Sequence, residues 1–356
     1  MKKHYLGWIV GCISLMFLLA GPAAAESSIK KKKVFRTEVR TTTFGGSCYI
    51  LGFGVSDILN KKSASVKGSV LESTGTEENI RLVGQDKKRR KRTFFTCGQG
   101  PFEKAKLGKP PFDKKPELYE DLMIIVQTQK ICQFPITLDP SIKTLADLKG
   151  KRVSTWPKGT YKYNCTYELI AGAGKDVVDS IKWQYTGYAG YDDMILGKVD
   201  VAWSFCAERG PGKFVTVPKL KELMSKRKVY FVTATPEMRK KTGEEFGSAS
   251  GLTLTIPADN FGADVPRHKV LGFGSILGWA VYPDMPEEVV YELVKTIDEN
   301  HGMFPEYHSA GKGIVPENYG AYPVEKKDWH PGARKYYDEK GIGYGKEYFD
   351  KKYPMQ

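Results

Sequence analysis

Thr41-Thr42-Thr43-Phe44-Gly45-Gly46-Ser47-Cys48-Tyr49-Ile50-Leu51 is the stretch from which the fold is read. Before it, Val34 to Thr42 alternates in the manner of a half-buried strand. After it, Ile50, Leu51, Val55, Ile58 and Leu59 recur at helical spacing. A strand, a small-residue loop and a helix in that order aim backbone N–H groups at whatever lies beyond the strand end. The helix dipole favours an anion there by about 0.3–1 kcal/mol. A second copy follows, with Val66 to Leu71 as strand, Ser73-Thr74-Gly75-Thr76 as loop, and a helix from Glu77-Glu78-Asn79 that buries Ile80, Leu82 and Val83. Thr74 and Glu77 have the spacing of a capping box. A third copy runs from Arg152 to Thr155, through Trp156-Pro157-Lys158-Gly159-Thr160, into a helix carrying Tyr167, Leu169 and Ile170. No GxxxxGK[ST] is present and no GxGxxG opens a helix, so a nucleotide phosphate is not indicated.

The rest of the chain keeps the alternation. Strand-like runs lie at Leu122 to Gln127, Ile181 to Tyr185, Val199 to Phe205, Val229 to Thr233 and Ile276 to Val281. Pro286 precedes a helix from Glu287 to Asn300, whose Val289, Val290, Leu293, Val294 and Ile297 form one apolar face. Strands alternating with helices give the α/β class with parallel sheets. Two such sheets across a cleft would bring the strand-end loops together at a ligand site.

With 356 residues, the chain is long enough for two packed domains. Its 55 Lys+Arg against 41 Asp+Glu give a formal net charge of +14. That charge is local. Past Ala25 there are 53 basic and 41 acidic residues, +12, of which residues 26–40 supply +4 and residues 86–115 supply +8. The body is electrically neutral, and nucleic acid is not an expected partner. Six consecutive basic residues, Lys87 to Arg92, cannot enter a core as a block, so they read as a solvated loop.

Lys2 and Lys3, the apolar stretch Leu6 to Ala20 and the small residues Ala23-Ala24-Ala25 read as an export signal cleaved after Ala25. The expected location is the periplasm. An uncleaved anchor competes, although the stretch is short for a span and contains Gly21-Pro22. A lipoprotein box at Ile9-Val10-Gly11-Cys12 also competes, although the apolar run continues past it. Five cysteines follow the signal (Cys48, Cys97, Cys132, Cys165 and Cys206), an odd number that leaves at least one without an intramolecular partner. None is spaced CxxC and the histidines are scattered, so neither a metal nor a cofactor is expected.

Thr43-Phe44-Gly45-Gly46-Ser47-Cys48-Tyr49 resembles the T-x-G-G-x-x-Y loop that opens TAXI-type solute receptors, the extracytoplasmic binding subunits of one class of TRAP transporters. Further similar segments come in the family's order: Ser73 to Asn79, Ile142 to Val153, Asp264-Val265-Pro266, Pro286 to Tyr291, and His330-Pro331-Gly332-Ala333-Arg334-Lys335-Tyr336-Tyr337. The resemblance covers about residues 36–342. It implies a monomeric, two-lobed, Venus-flytrap receptor of the type II-like periplasmic-binding-protein architecture, closing on a small organic anion. A glutamate-like amino acid, keto acid or dicarboxylate is the implied ligand class, delivered to TRAP membrane subunits. By motif position the resemblance assigns ligand contacts to Thr43, Gly45, Gly46 and Tyr49, then to Ser73, Thr74, Gly75, Thr76 and Asn79, then to Gly159 and Thr160.

The third loop departs from the family's run of short residues. Trp156, Lys158, Tyr161 and Tyr163 there would narrow the cleft and add a cation, with Lys158 placed to pair a ligand carboxylate, or else solvated. Trp203 stacks on the ligand or fills the core. The expected organisation is residues 1–25 signal peptide, 26–33 basic leader, 34–126 plus 241–356 lobe I, and 127–240 lobe II. No GxSxG, HExxH or Cys/His pair with a recognisable local context is present, so an enzyme is not expected. A binding subunit that reports to a sensor is the alternative within the binding class.

Overall fold

The computed structural model describes residues 34–353 except Gly45 and Pro211. The expected signal peptide and basic leader lie outside the described residues, as does the ligand contact assigned to Gly45.

The strands in chain order are β1 (Phe35–Arg40), β2 (Val66–Leu71), β3 (Thr93–Gly98), β4 (Met123–Thr137), β5 (Arg152–Ser154) and β6 (Lys182–Gln184). They continue as β7 (Val201–Gly210), β8 (Lys213–Thr216), β9 (Tyr230–Phe231), β10 (Thr253–Ile256) and β11 (Val270–Val281). Among the described residues they form one hydrogen-bonded sheet in the order β2-β1-β3-β11-β4-β7-β5-β6. The two ends are parallel, as expected: β1 with β2 and β3, and β5 with β6 and β7. The middle is antiparallel, where β4 and β11 pair with each other and each also pairs with a strand of one end. Two separate sheets were expected. A single ladder results because β4 and β11 are far longer than the apolar cores of their sequence runs. Each serves both halves.

The apolar side chains nonetheless separate into lobes. One core gathers Val39, Leu51, Val55, Phe94 and Val126 with Ile276, Trp279, Leu293 and Tyr337. A second gathers Leu145, Val153, Leu169, Val201 and Trp203. A third, around the same far-end strands, gathers Phe134, Ile136, Tyr191, Leu220 and Phe231 with Ile256 and Val270. The protein is therefore a two-lobed α/β structure joined through β4 and β11.

Local chemistry explains the main helices. α1 (Ser47–Lys62) starts at Gly46 and ends with Lys61 and Lys62 in its last turn, where they complement the dipole. In the helix Glu287–Glu299, acidic residues open the first turn and Val290, Leu293, Val294 and Ile297 are fully buried. Truncating Leu293 to Ala there would cost about 2–5 kcal/mol. His330 caps the helix Pro331–Lys340: its Nδ1 accepts from Gly332 N at 3.2 Å and its Nε2 donates to Met285 O at 3.1 Å.

Two expectations are corrected. In α2 (Thr76–Gly84) the reciprocal bond to Thr74 comes from Glu78, whose Oε2 accepts from Thr74 N and Oγ1, not from Glu77. The basic run is not a simple solvated loop. Lys87–Arg90 form one helical turn, α3, capped by the Asp86 carboxylate. Arg90 turns inward, with a side chain 12% exposed that pairs with Asp121 and Asp284 and lies 4.1 Å from the Tyr282 ring centroid. Lys87, Lys88, Lys91 and Arg92 stay exposed. A core refuses six charges together, but it accepts one guanidinium that finds two carboxylates.

Candidate functional site

The parallel strands β1, β2 and β3 end on the same edge, and the second loop ties those ends together. Ser73 Oγ donates to Thr41 O at 2.8 Å. Asn79 Nδ2 donates to Thr41 O at 2.7 Å and to Thr96 O at 3.2 Å. Among the described residues, this edge carries buried polar atoms without a protein partner: Thr76 Oγ1, Asn79 Oδ1, Thr96 Oγ1 and Gln99 Oε1, together with Arg40 Nε at the end of β1. Buried polar groups are nearly always satisfied, so such a cluster demands an explanation.

The second lobe presents a cation to the same cleft. Thr160 caps α5 (Tyr161–Ala171), its Oγ1 accepting from Tyr163 N at 3.2 Å. Lys162, in the first turn of that helix, lies 4.3 Å from the Trp156 ring centroid, 5.2 Å from Phe205 and 5.6 Å from Tyr188. The three rings stand 5.5–6.3 Å from one another and form a box around the ammonium. Among the described residues no carboxylate pairs with Lys162. Desolvation lowers its pKa, and only the buried thiols of Cys48 and Cys165 act to raise it. Across the cleft, Cys48 at the start of α1 accepts a long hydrogen bond from Gln129 Nε2 at 3.5 Å, and Gln129 Oε1 has no partner among the described residues. Burial raises the Cys48 thiol pKa, and the Lys162 charge partly offsets it. Tyr188 is pushed up to about 12, mainly by burial.

The lobes meet along a polar rim. Asn164 Nδ2 donates to Glu77 Oε1 at 3.2 Å, and Lys104, on α4 (Gln99–Lys106), pairs with Glu168 at 3.2 Å. Ser250 Oγ also donates to Glu168, at 2.7 Å, and Ala249 N donates to Glu103 at 2.7 Å. Tyr161 bridges to the connecting strands: its hydroxyl lies 3.0 Å from Ser275 Oγ, which accepts from Gln133 Nε2 at 2.9 Å. The Tyr161 ring lies against Gly100, where a Cβ would stand 3.1 Å from the ring edge. Glycine at that position permits the close approach.

The sequence-assigned residues fall into groups. Ser73, Thr76 and Asn79 line the first-lobe edge, and Gly75 opens α2 with φ 145°. Thr74 is occupied by Glu78. Gly46 opens α1, Thr43 is exposed, and Tyr49 packs on Phe44 at 5.1 Å. The Phe44 N–H donates to Glu72 Oε1 at 2.9 Å, so the first loop already holds a carboxylate. Trp156 and Thr160 belong to the Lys162 box and its helix cap. Gly159 turns the loop with φ 87°. Lys158 is exposed. Tyr163 packs on Trp183 at 5.5 Å and Tyr185 at 6.0 Å. Trp203 is 1% exposed inside the second core, its Nε1 donating to Gln133 Oε1 at 3.2 Å, and it fills the core.

Cys48, Gln129, Lys162, Tyr188 and Phe205 were not singled out in sequence. One signal was available for Lys162. A basic residue in a helix's first turn opposes the dipole, which costs a few tenths of a kcal/mol or more and implies another reason for the charge.

The fold and this cleft define a two-lobed α/β protein that sets an uncompensated cation among aromatic rings where its lobes meet. The chain belongs to the NMT1-like family, matched over residues 39–341. No curated protein matches it. Among solved structures it is similar to the periplasmic binding protein BugD (14% identity, 80% of this chain and 87% of that one, TM-score 0.47). It is also similar to MatC from Rhodopseudomonas palustris with bound malate (12% identity, 88% and 98%, TM-score 0.48). A third is a TRAP periplasmic solute-binding protein from Xanthobacter autotrophicus with bound β-D-galacturonate (13% identity, 89% and 91%, TM-score 0.38). Among the described residues no helix is long and apolar enough to cross a membrane, and no cluster of His, Cys, Asp or Glu could hold a metal.

Proposed function

We propose that the protein is an exported solute-binding receptor that closes its two lobes on a small organic anion and passes it to a membrane permease. The observation that carries the reading is Lys162, a half-buried ammonium in an aromatic box with no carboxylate partner among the described residues. An anionic ligand supplies the missing charge and meets the orphaned groups of Arg40, Thr76, Thr96, Gln99 and Gln129. Binding both lobes at once gives it higher affinity for the closed form than for the open one, which is how a ligand shifts such an equilibrium. The ligand class is a glutamate-like amino acid, keto acid or dicarboxylate, and a TRAP-type permease is the expected recipient. We place the lobe boundaries within β4 and β11. Ile256 and Val270 pack in the third core and Ile276 in the first, which supports a return crossing later than residue 241.

The experiment is mass spectrometry of small molecules that co-purify with the protein, followed by a thermal-shift panel of amino acids, keto acids and dicarboxylates. A stabilising anion whose effect requires Lys162 supports the reading. Absence of stabilisation by every small anion overturns it.

A further inference from the structure

Cys132 of β4 and Cys206 of β7 are direct partners in antiparallel register. Both are fully buried in the third core, so their side chains share one face of the sheet. Residues opposed in this way hold their Cα atoms about 4.5–5.5 Å apart, inside the roughly 4.4–6.8 Å that a disulfide spans. Both are free thiols in the structure, Cys132 Sγ donating to Leu254 O at 3.4 Å. The neighbouring strand leaves room for the sulfur, since a Cβ at Gly272 would lie 2.6 Å from Cys132 Sγ. The other cysteines among the described residues have no cysteine opposite them in a strand ladder: Cys97 opposes Gly278, and Cys48 and Cys165 lie on helices.

We propose that Cys132 and Cys206 form a disulfide in the mature protein, stapling β4 to β7 inside the second lobe. Each thiol gives up its proton and one Sγ–Sγ bond forms. The electron pair passes to an acceptor disulfide, on a thiol–disulfide oxidase or in oxidised glutathione, which departs as two thiols. Folding seals both sulfurs from solvent, so the bond forms while β4 and β7 are pairing. Alternation along β4 puts Cys132 on the face opposite Gln129 and Gln133, so the staple leaves the cleft untouched. Cys48, Cys97 and Cys165 remain thiols, which accounts for the odd number of cysteines past Ala25.

The test refolds the reduced, urea-unfolded protein in a buffer of reduced and oxidised glutathione. Free thiols are then alkylated under denaturing conditions, and the peptides are mapped without reductant. The expected result is alkylation of Cys48, Cys97 and Cys165, with Cys132 and Cys206 joined in one cross-linked pair that reductant releases. Alkylation of all five, or any other pairing, overturns the proposal. In Cys132→Ser, Cys206 becomes alkylatable; protection of Cys206 in that variant would mean a different partner and would sink the idea. Should the variant not fold, the wild-type map still decides.

Discussion

Replacing Lys162 by Met separates the cost of the buried charge from its use. The two side chains have similar length, and Met keeps an apolar contact with Trp156, Tyr188 and Phe205. The Lys162 pKa is lowered, with desolvation as the largest cause, so the three aromatic contacts, each worth about 0.5–1 kcal/mol, do not repay the lost hydration. A lysine whose folded pKa lies below its unfolded value contributes stability only above the unfolded pKa of about 10.4, and that stability is lost as pH falls through the folded pKa. At pH 7 the ammonium is therefore a net cost. Lys162→Met should raise ligand-free stability by about 1 kcal/mol, in line with apolar replacement of poorly compensated buried charges. Binding should move the opposite way. Truncating one partner of a desolvated charge pair costs about 2–5 kcal/mol, which is about 30-fold or more in Kd. Urea unfolding of the ligand-free variant and calorimetric titration of the best ligand from the anion panel give the two numbers. A variant that is less stable and binds as tightly as the parent would refute the placement of the ligand beside Lys162.

Lys158→Ala should change that Kd by less than about threefold, since Lys158 is exposed and surface charges contribute little; a larger loss in titration would return Lys158 to the site. Lys104→Ala should leave Glu168 buried with only Ser250 for company, lowering stability by about 1–3 kcal/mol. It should also enlarge the ligand-free radius of gyration in small-angle scattering, and an unchanged radius would show that this rim pair does not hold the lobes. His330, 1% exposed, has its pKa lowered to about 4, chiefly by burial. Its stabilisation is complete above the unfolded value of about 6.5 and fades as pH falls toward 4, a loss of about 2–3 kcal/mol between pH 7 and 4.5. His330→Asn, which keeps a capping side chain, should lose that much less over the same interval in urea titrations; equal losses would remove His330 as the cause.

What the sequence made legible follows from how local each feature is. The strand–loop–helix units at β1, β2 and β5 depend on residues a few positions apart, and β2 falls at Val66–Leu71 as its alternation indicates. The lengths of β4 and β11 did not show, because Gln127, Thr128, Gln129, Lys130 and Gln133 are polar yet buried. Gln129 and Gln133 break the apolar pattern because the strand serves two lobes: Gln129 bonds to Cys48 of α1, and Gln133 accepts from Trp203 in the second core. The motif reading reached the first-lobe edge through Ser73, Thr76 and Asn79. In the second lobe it chose Lys158 before the cap of α5, whereas the ammonium that sits among aromatic rings is Lys162 after it. Spacing alone favours the loop residue, which stands where an anion would meet helix N–H groups. The box that selects Lys162 is assembled from positions 156, 188 and 205, and only the register of β7 beside β5 and β4 brings Phe205 to that loop. A lysine that faces aromatic rings from a helix's first turn, against the dipole and with no counter-ion among the described residues, is poorly placed for stability. Local conflicts of that kind are expected at functional sites, which is the reason for proposing the ligand beside Lys162.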